Sequence, residues 1–308
     1  MRVTLIHNPG AGSQAGGDSD ALNGLLREAG HEVRLCSTKN DWKRAIAEPA
    51  DLVAVAGGDG TVARVAKEMS GRGIPIAPLP AGTANNICRT LGLVGRHWEE
   101  LVRDWPKARR LKLDLGVAEG PWGRRHFVEG VGAGVFAYQL SSKDPQRTAA
   151  EHKPPNEKVA HALELLRKRA VDCAPMDLRA TLDGKDVSGR YVLFEALNIL
   201  YVGPSLFLAP DSTPGDGRFD LVLVGEAERD RLVKYLEHWQ DNRERLAVLP
   251  SHPGKHLHIE WNGFDLHIDD ELWPGEGEAR PKSAVIDIRI EGEAVEFLAP
   301  GPQKAKGA

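Results

Sequence analysis

No stretch of this 308-residue chain approaches the ~18 consecutive apolar residues that a membrane-spanning helix requires, which excludes a transmembrane helix. The N-terminal Met1-Arg-Val-Thr-Leu-Ile-His-Asn8 lacks the apolar length of a secretory signal and passes directly into a turn, so a cytoplasmic protein is expected. Cysteine is scarce. Cys36, Cys88 and Cys173 are far apart, odd in number and fit no metal-ligand spacing, which excludes a disulfide framework and leaves reduced thiols. An excess of positive charge is also missing, since the formal net charge is −4, and this argues against a general nucleic-acid binder.

What is present is ordinary for a globular protein: 41% hydrophobic and 27% charged residues, in a chain long enough for two domains. The charge is uneven. Residues 103–170 hold 14 Lys or Arg against 8 Asp or Glu, a local balance that can dock on anionic lipid and that a solvated helix face would equally produce.

The most informative stretch is Gly57-Gly58-Asp59-Gly60-Thr61, which follows the apolar run Leu52-Val-Ala-Val-Ala56 and precedes a helical pattern. A buried strand ending in glycines at a helix N-terminus offers bare backbone N–H groups to a phosphate. Glycine permits close backbone approach and positive φ, and Asp59 stands where a carboxylate can partner Mg²⁺. A tight turn without a ligand would have the same local sequence.

Around it, strands alternate with helices. Val3–His7, His31–Cys36, Asp51–Ala56 and Ile74–Pro80 read as strands, with helices after Asp18, at Trp42, after Thr61 and at Ile87. This pattern predicts a parallel sheet with helices on both faces and ligands at the carboxyl ends of its strands. Three prolines in the fourth strand predict a place near an edge or at a strand end. The loop after the first strand contains Gly10-x-Gly12-x-x-Ala15, but the second strand ends in Ser37-Thr38-Lys39 without the carboxylate that a dinucleotide ribose needs. No Gly-Lys-Ser/Thr ending marks a Walker loop.

Three strand ends thus carry polar loops: Asn8 to Ser13, Gly57 to Thr61 and Gly82 to Asn86. Asn8-Pro-Gly-x-Gly-Ser, Gly-Gly-Asp59-Gly-Thr and Leu79-Pro-Ala-Gly-Thr-Ala-Asn-Asn86, in this order, resemble the diacylglycerol kinase catalytic-domain family, which includes bacterial lipid kinases and the sphingosine and ceramide kinases. Ala84-Asn85-Asn86 stands where many members have Gly-Asn-Asp. The resemblance implies ATP and Mg²⁺ as cofactors. It places the nucleotide on Asn8, Pro9, Gly10, Ser13, Thr38, Gly57, Gly58, Asp59, Gly60, Thr61, Gly82, Thr83 and Asn85.

The resemblance extends over most of the chain. Pro210 to Asp220 is similar to a segment that in relatives holds a structural Mg²⁺, which implies Asp216 with the carbonyls of Thr213 and Arg218; Gly215 stands where a second aspartate is usual. His267-Ile-Asp269-Asp270-Glu271 resembles the family's Asp-Gly-Glu turn, with Asp270 in the glycine position. The resemblance makes Asp269 the group that takes the proton of the lipid hydroxyl, Glu271 its support, and Asp59 the third catalytic carboxylate. Glu195 to Pro204 is expected to border the acceptor site.

From Arg109 onward the pattern is strand-rich, and alternation in Lys255 to Trp261 makes His256 and His258 exposed strand residues in preference to metal ligands. Gly130-Val-Gly132-Ala-Gly134 reads as a place of close packing. Between Ser141 and Ala170 a proline-containing polar stretch leads into an amphipathic helix, which fits core packing better than a lipid entrance.

The expected fold is α/β: a Rossmann-like parallel-sheet nucleotide domain over residues 1–115, with residues 291–308 packing back on it, and a β-rich, β-sandwich second domain over 116–290, like NAD kinase and diacylglycerol kinase. The expected function is ATP-dependent phosphorylation of a lipid hydroxyl, the lipid being presented by a membrane surface that the protein meets peripherally at its inner face. Nucleic acid is not an expected partner, and the sequence does not state an oligomeric state. The alternatives are an NAD kinase-like enzyme, which shares the glycine-aspartate motif, and an inactive nucleotide-binding sensor.

Overall fold

The computed structural model describes residues 1–11, 19–140, 153–239, 249–275 and 277–301. Ser13, the second half of the first glycine motif, the start of the 141–170 stretch and the C-terminal tail lie outside the described residues. The chain divides into two compact units, one of Met1–Leu113 with Glu293–Ala308 and the other of Asp114–Gly292.

The first unit begins β1 (Arg2–His7), α1 (Ser19–Glu28), β2 (Glu32–Ser37), α2 (Trp42–Ala47), β3 (Leu52–Gly57), α3 (Asp59–Met69), β4 (Ile76–Pro80), α4 (Asn86–Thr90) and α5 (Trp98–Asp104). Its strands are parallel in the order β4-β3-β1-β2. All six residues of β3 are buried, as a parallel strand covered on both faces must be, and this explains its unbroken apolar run. Helix α1 lays Leu22 and Leu26 inward, and α3 lays Val62, Val65, Ala66 and Met69. Cys88 is buried in α4, where burial raises its thiol pKa well above the ordinary value and keeps it protonated.

Two of the three prolines take the strand-end place expected of them, Pro75 just before β4 and Pro80 as its last residue, and Pro78 lies inside it. Strand β4 pairs with β3 along its whole length and, on its other side, through Ile76 with Phe297 of the C-terminal strand. The Ala81 N–H donates to the Gly57 carbonyl at 3.1 Å and the Pro75 carbonyl accepts from Val53, so odd-numbered residues face β3. Pro78 and Pro80 therefore turn their missing N–H groups to the other side, beyond the single Ile76 pair. The ladder loses little because both prolines have the harmless parity.

Strands β5 (Arg109–Gly120) and β18 (Ala284–Ala299) each pass from one unit's residues to the other's. The second unit also holds β6 (Gly123–Phe127), β7 (Gly130–Gly134), α6 (Val135–Leu140), α7 (Pro155–Asp172), β8 (Met176–Leu182), β9 (Lys185–Asp186) and β10 (Gly189–Leu197). Then come β11 (Tyr201–Val202), β12 (Leu206–Phe207), β13 (Phe219–Gly225), α8 (Arg229–His238), β14 (Ser251–Gly254), β15 (His256–Trp261), β16 (Leu266–Ile268) and β17 (Glu271–Trp273). Antiparallel pairing runs β17-β16-β7-β10-β13-β14, and β8 joins β10 to β15 and β18.

Strand β13 shows how the layers form. Phe219, Leu221 and Leu223 enter a core with Trp261, Ile286 and Ile288, while Val222 and Val224 enter a second core with Leu163 and Leu166 of α7 and Leu232 and Tyr235 of α8. Alternate residues of one strand thus serve opposite faces, one against strands and one against helices. The apolar side of α7 is core, and no described helix is long and apolar enough to cross a membrane. His256 and His258 stand on β15 within 2.9 Å of one Asp287 oxygen, which both imidazoles share.

Candidate active site

In the first unit the parallel arrangement brings the loops after β1, β2, β3 and β4 to the carboxyl edge of one sheet. Asn8 ties three of them together. Its Nδ2 donates to Thr61 Oγ1 at 2.9 Å, and its Oδ1 accepts from Gly10 N at 3.0 Å and Thr38 Oγ1 at 3.4 Å. Thr61 is buried, and Pro9 and Gly10 are exposed.

The glycines of the second and third loops are required by each other. A Cβ on Gly82 would lie 2.5 Å from Gly58 Cα, and one on Gly57 would lie 2.7 Å from Thr61 Cβ. None of Gly57, Gly58, Gly60 and Gly82 has positive φ, so close approach within the protein, not a left-handed turn, excludes other residues here. Asn85 does adopt φ +54°, a conformation Asn tolerates, and its side chain bonds Gly82 twice, accepting from N at 2.9 Å and donating to O at 2.8 Å. Thr83 is half-buried in the same loop.

Asp59 joins the two loops electrostatically. Its Oδ1 accepts from Ile87 N at 2.9 Å, so a carboxylate in the first turn of α3 also caps α4. Burial raises its pKa, opposed by the backbone N–H groups of Ile87, Asn86 and Asn85. Sequence reasoning gave Asp59 a metal or phosphate partner and missed this cap. It also missed Arg89, whose Nε donates to the Ala84 carbonyl, and Trp98, whose indole donates to the Pro80 carbonyl. Neither carries a local signal of its role.

In the second unit Asp269 occupies the turn between β16 and β17 at φ +51°. Its carboxylate is buried and accepts from the N–H groups of Val128, Glu129 and Gly130 at 2.8–3.3 Å, while its own N–H donates to the Gly130 carbonyl. Asn198, also buried, donates from Nδ2 to the Asp114 and Val128 carbonyls and from its backbone to Glu129 O. The segment bearing Asn198 thereby anchors the loop that holds Asp269. Glu271 points outward and meets Arg125 at 3.6 Å.

The loop 211–220 is held by backbone and carboxylate hydrogen bonds. Asp216 N donates to the Thr213 carbonyl, Asp216 Oδ1 accepts from Arg218 N at 2.9 Å, and Asp114 Oδ2 accepts from Gly217 N at 2.6 Å. Burial pushes Asp220 up, and the neighbouring Asp216 and Asp211 carboxylates add to it. Among the described residues no three His, Cys, Asp or Glu side chains converge on a metal position. Asp216 and the Thr213 carbonyl thus meet within one turn, with Arg218 beside them.

The chain is 25% identical over 234 residues to a diacylglycerol kinase of Mycobacterium tuberculosis, covering 74% of this chain and 72% of that one. It is 26% identical over 247 residues to a diacylglycerol kinase of Bacillus subtilis, covering 76% and 77%. Among solved structures, one from Bacillus anthracis superposes with a TM-score of 0.70 at 24% identity, over 98% of this chain and 95% of its own. Another, of a diacylglycerol kinase from the same organism, gives 0.66 at 22%, over 98% and 97%. These structures share the two-domain α/β fold with this chain, and the sequence relatives are named diacylglycerol kinases. Residues 2–118 match the model of the diacylglycerol kinase catalytic domain.

Proposed function

We propose that the protein transfers the γ-phosphoryl group of ATP to a hydroxyl of a membrane lipid such as diacylglycerol. The observation that carries this reading is the joining of three glycine- and asparagine-rich loops at one sheet edge through Asn8, Thr38 and Thr61 and the Gly58–Gly82 contact. Loops fixed in this way present backbone N–H groups without rearrangement, and phosphoryl transfer depends chiefly on positioning and charge neutralisation.

In this reading Asn8, Pro9, Gly10, Ser13, Thr38, Gly57, Gly58, Gly60, Thr61, Gly82, Thr83 and Asn85 border the nucleotide. Mg²⁺ enters as part of the MgATP substrate and supplies charge neutralisation on the phosphates. Asp59 fixes the loops that receive it. Asp269, immobilised by three backbone N–H groups, orients the acceptor hydroxyl and takes its proton as the oxygen–γ-phosphorus bond forms and the β–γ bridging bond breaks, releasing ADP. Glu271 holds Arg125 beside that turn. The lipid is met peripherally, at the cytoplasmic face of a membrane.

Incubation with γ-labelled MgATP and, in separate assays, diacylglycerol, monoacylglycerol, sphingosine, ceramide, phosphatidylglycerol and NAD tests the reading. Label in a lipid supports it and names the acceptor. Label in NAD, or ATP binding with no label transferred to any acceptor, contradicts it.

A further inference from the structure

Strand β7 lies between β10 and β16, and the register places Glu195, Gly132 and His267 in one row across the three strands. A Cβ on Gly132 would lie 2.2 Å from the Glu195 carboxyl atoms. Because the central residue has no side chain, its neighbours reach over it: His267 Nε2 and Glu195 Oε1 are 2.9 Å apart, at 3% and 0% side-chain exposure. The other imidazole nitrogen, Nδ1, lies 2.9 Å from the carbonyl oxygen of Asp269. That carbonyl belongs to the left-handed residue whose side chain the Val128–Gly130 amides hold.

Proton bookkeeping constrains this chain of contacts. A carbonyl accepts only, so Nδ1 must carry hydrogen. Between Nε2 and Glu195 there must then be one further proton, on nitrogen facing a carboxylate or on oxygen facing a bare nitrogen. Without it the imidazole has one N–H for two acceptors, and one contact becomes a repulsion between lone pairs.

We propose that Glu195 and His267 are a positioning pair: the single proton they share, seated over Gly132, keeps His267 donating to the Asp269 carbonyl and so holds the Asp269 turn in its working conformation. The proposal rests on the reading of Asp269 as the residue that orients the acceptor hydroxyl. Its consequence is an alkaline limit to activity, reached when the shared proton is lost.

The surroundings agree. The charged groups acting on His267 are Glu195 and Asp269, and on Glu195 only His267. Burial lowers the His267 pKa, but the Glu195 charge and the hydrogen bonds to Glu195 and the Asp269 carbonyl outweigh it, leaving a net rise. Burial raises Glu195, with His267 opposing. Both shifts favour retention of the proton. The second Glu195 oxygen has no hydrogen-bond partner among the described residues, so His267 is what compensates this buried carboxyl.

Two isosteric variants separate positioning from mere packing. In Glu195→Gln the amide N–H replaces the shared proton and cannot titrate, so plateau kcat should stay within about threefold and the alkaline fall should disappear. In His267→Gln the amide can still reach Glu195 but no longer donates to the Asp269 carbonyl; kcat should fall about tenfold, the scale of one neutral hydrogen bond, with KM for ATP unchanged. An alkaline limb in Glu195→Gln identical to the wild type, or wild-type kcat in His267→Gln, would overturn the proposal. A second measurement does not depend on activity: the Asp269 amide and the ¹⁵N-labelled His267 imidazole are followed by NMR from pH 6 to 10. Coincident midpoints in the wild type that vanish in Glu195→Gln support the coupling even if no lipid is phosphorylated. An Asp269 amide indifferent to the His267 titration refutes it even if the kinase reading stands.

Discussion

Gly58 and Gly82 approach so closely that a Cβ on Gly82 would sit 2.5 Å from the Gly58 Cα, and a Cβ on Gly58 would sit 3.1 Å from Gly82 Cα. Two loops that follow different strands are thereby locked backbone to backbone, with Asp59 capping across the same junction. The geometry that would receive a phosphate is built from contacts within the protein.

Gly82→Ala should therefore separate the loops. Overpacking at a backbone contact costs about 1–3 kcal/mol, and here the expected result is a lower urea midpoint together with ATP affinity weakened at least tenfold. Gly92→Ala, where a Cβ would meet nothing within 4 Å, is a poor control because of its φ of +72°; Gly24→Ala, in the middle of α1, is the better one and should leave ATP affinity unchanged while raising the urea midpoint slightly through helix propensity.

Asn8→Ala removes the partner of Thr61, Gly10 and Thr38 at once. With neutral hydrogen bonds worth about 1 kcal/mol each, KM for ATP should rise about tenfold or more. Asn8→Asp keeps the acceptor and loses the donor to Thr61, so it should fall between Asn8→Ala and the wild type in steady-state kinetics.

Stability should decline on the alkaline side because of Glu195 and His267. Both have folded pKa values above their ordinary ones, near 4.3 and 6.5 in an unfolded chain. With one proton shared between them, the native pair holds more protons than the unfolded chain only above about pH 6.5, so the unfolding free energy falls as pH rises beyond that value and stops falling once the folded pKa is passed. The His267 contribution is complete below about pH 6.5 and is lost as pH rises through its folded value. Denaturant midpoints taken at pH 6, 8 and 10 should fall in the wild type and fall less in Glu195→Gln.

Gly132→Ala should be among the most damaging single-methyl additions in the second unit, because the methyl would occupy the space of the Glu195 carboxyl. A loss of about 1–3 kcal/mol is expected from overpacking, more if the buried pair is broken. Thermal unfolding compared with Gly184→Ala, whose strain is conformational at φ +78° and whose Cβ position is open, would distinguish crowding from backbone cost.

The parts of the site legible in the sequence are those written in consecutive residues. Asn8, Gly57 to Thr61 and Gly82 to Asn86 follow apolar strands directly, and parallel β/α alternation fixes them at one sheet edge. The prolines marked the ends of β4, at Pro75 and Pro80, but the tolerance of Pro78 inside it rests on parity, which decides which neighbour lacks an N–H. The Glu195–His267 pair was illegible for another reason: its members are 72 residues apart and meet only through the antiparallel register over Gly132. The Gly130-x-Gly132-x-Gly134 pattern was visible, but what crosses above its middle glycine depends on two other strands. Asp269 was located by resemblance, whereas its backbone clamp on Val128 to Gly130 required the fold.

The central claim is that Asp269 handles the acceptor hydroxyl while the loops of the first unit bind ATP independently of it. The most direct test is kcat for labelled-phosphate transfer to the acceptor lipid in Asp269→Asn, measured beside the ATP dissociation constant of the same protein. Asparagine can still accept the three backbone N–H bonds, so the turn should persist. The account predicts a fall in kcat of about 10²–10⁴, the usual contribution of a positioned proton acceptor, with ATP affinity unchanged. Wild-type turnover in Asp269→Asn would contradict it.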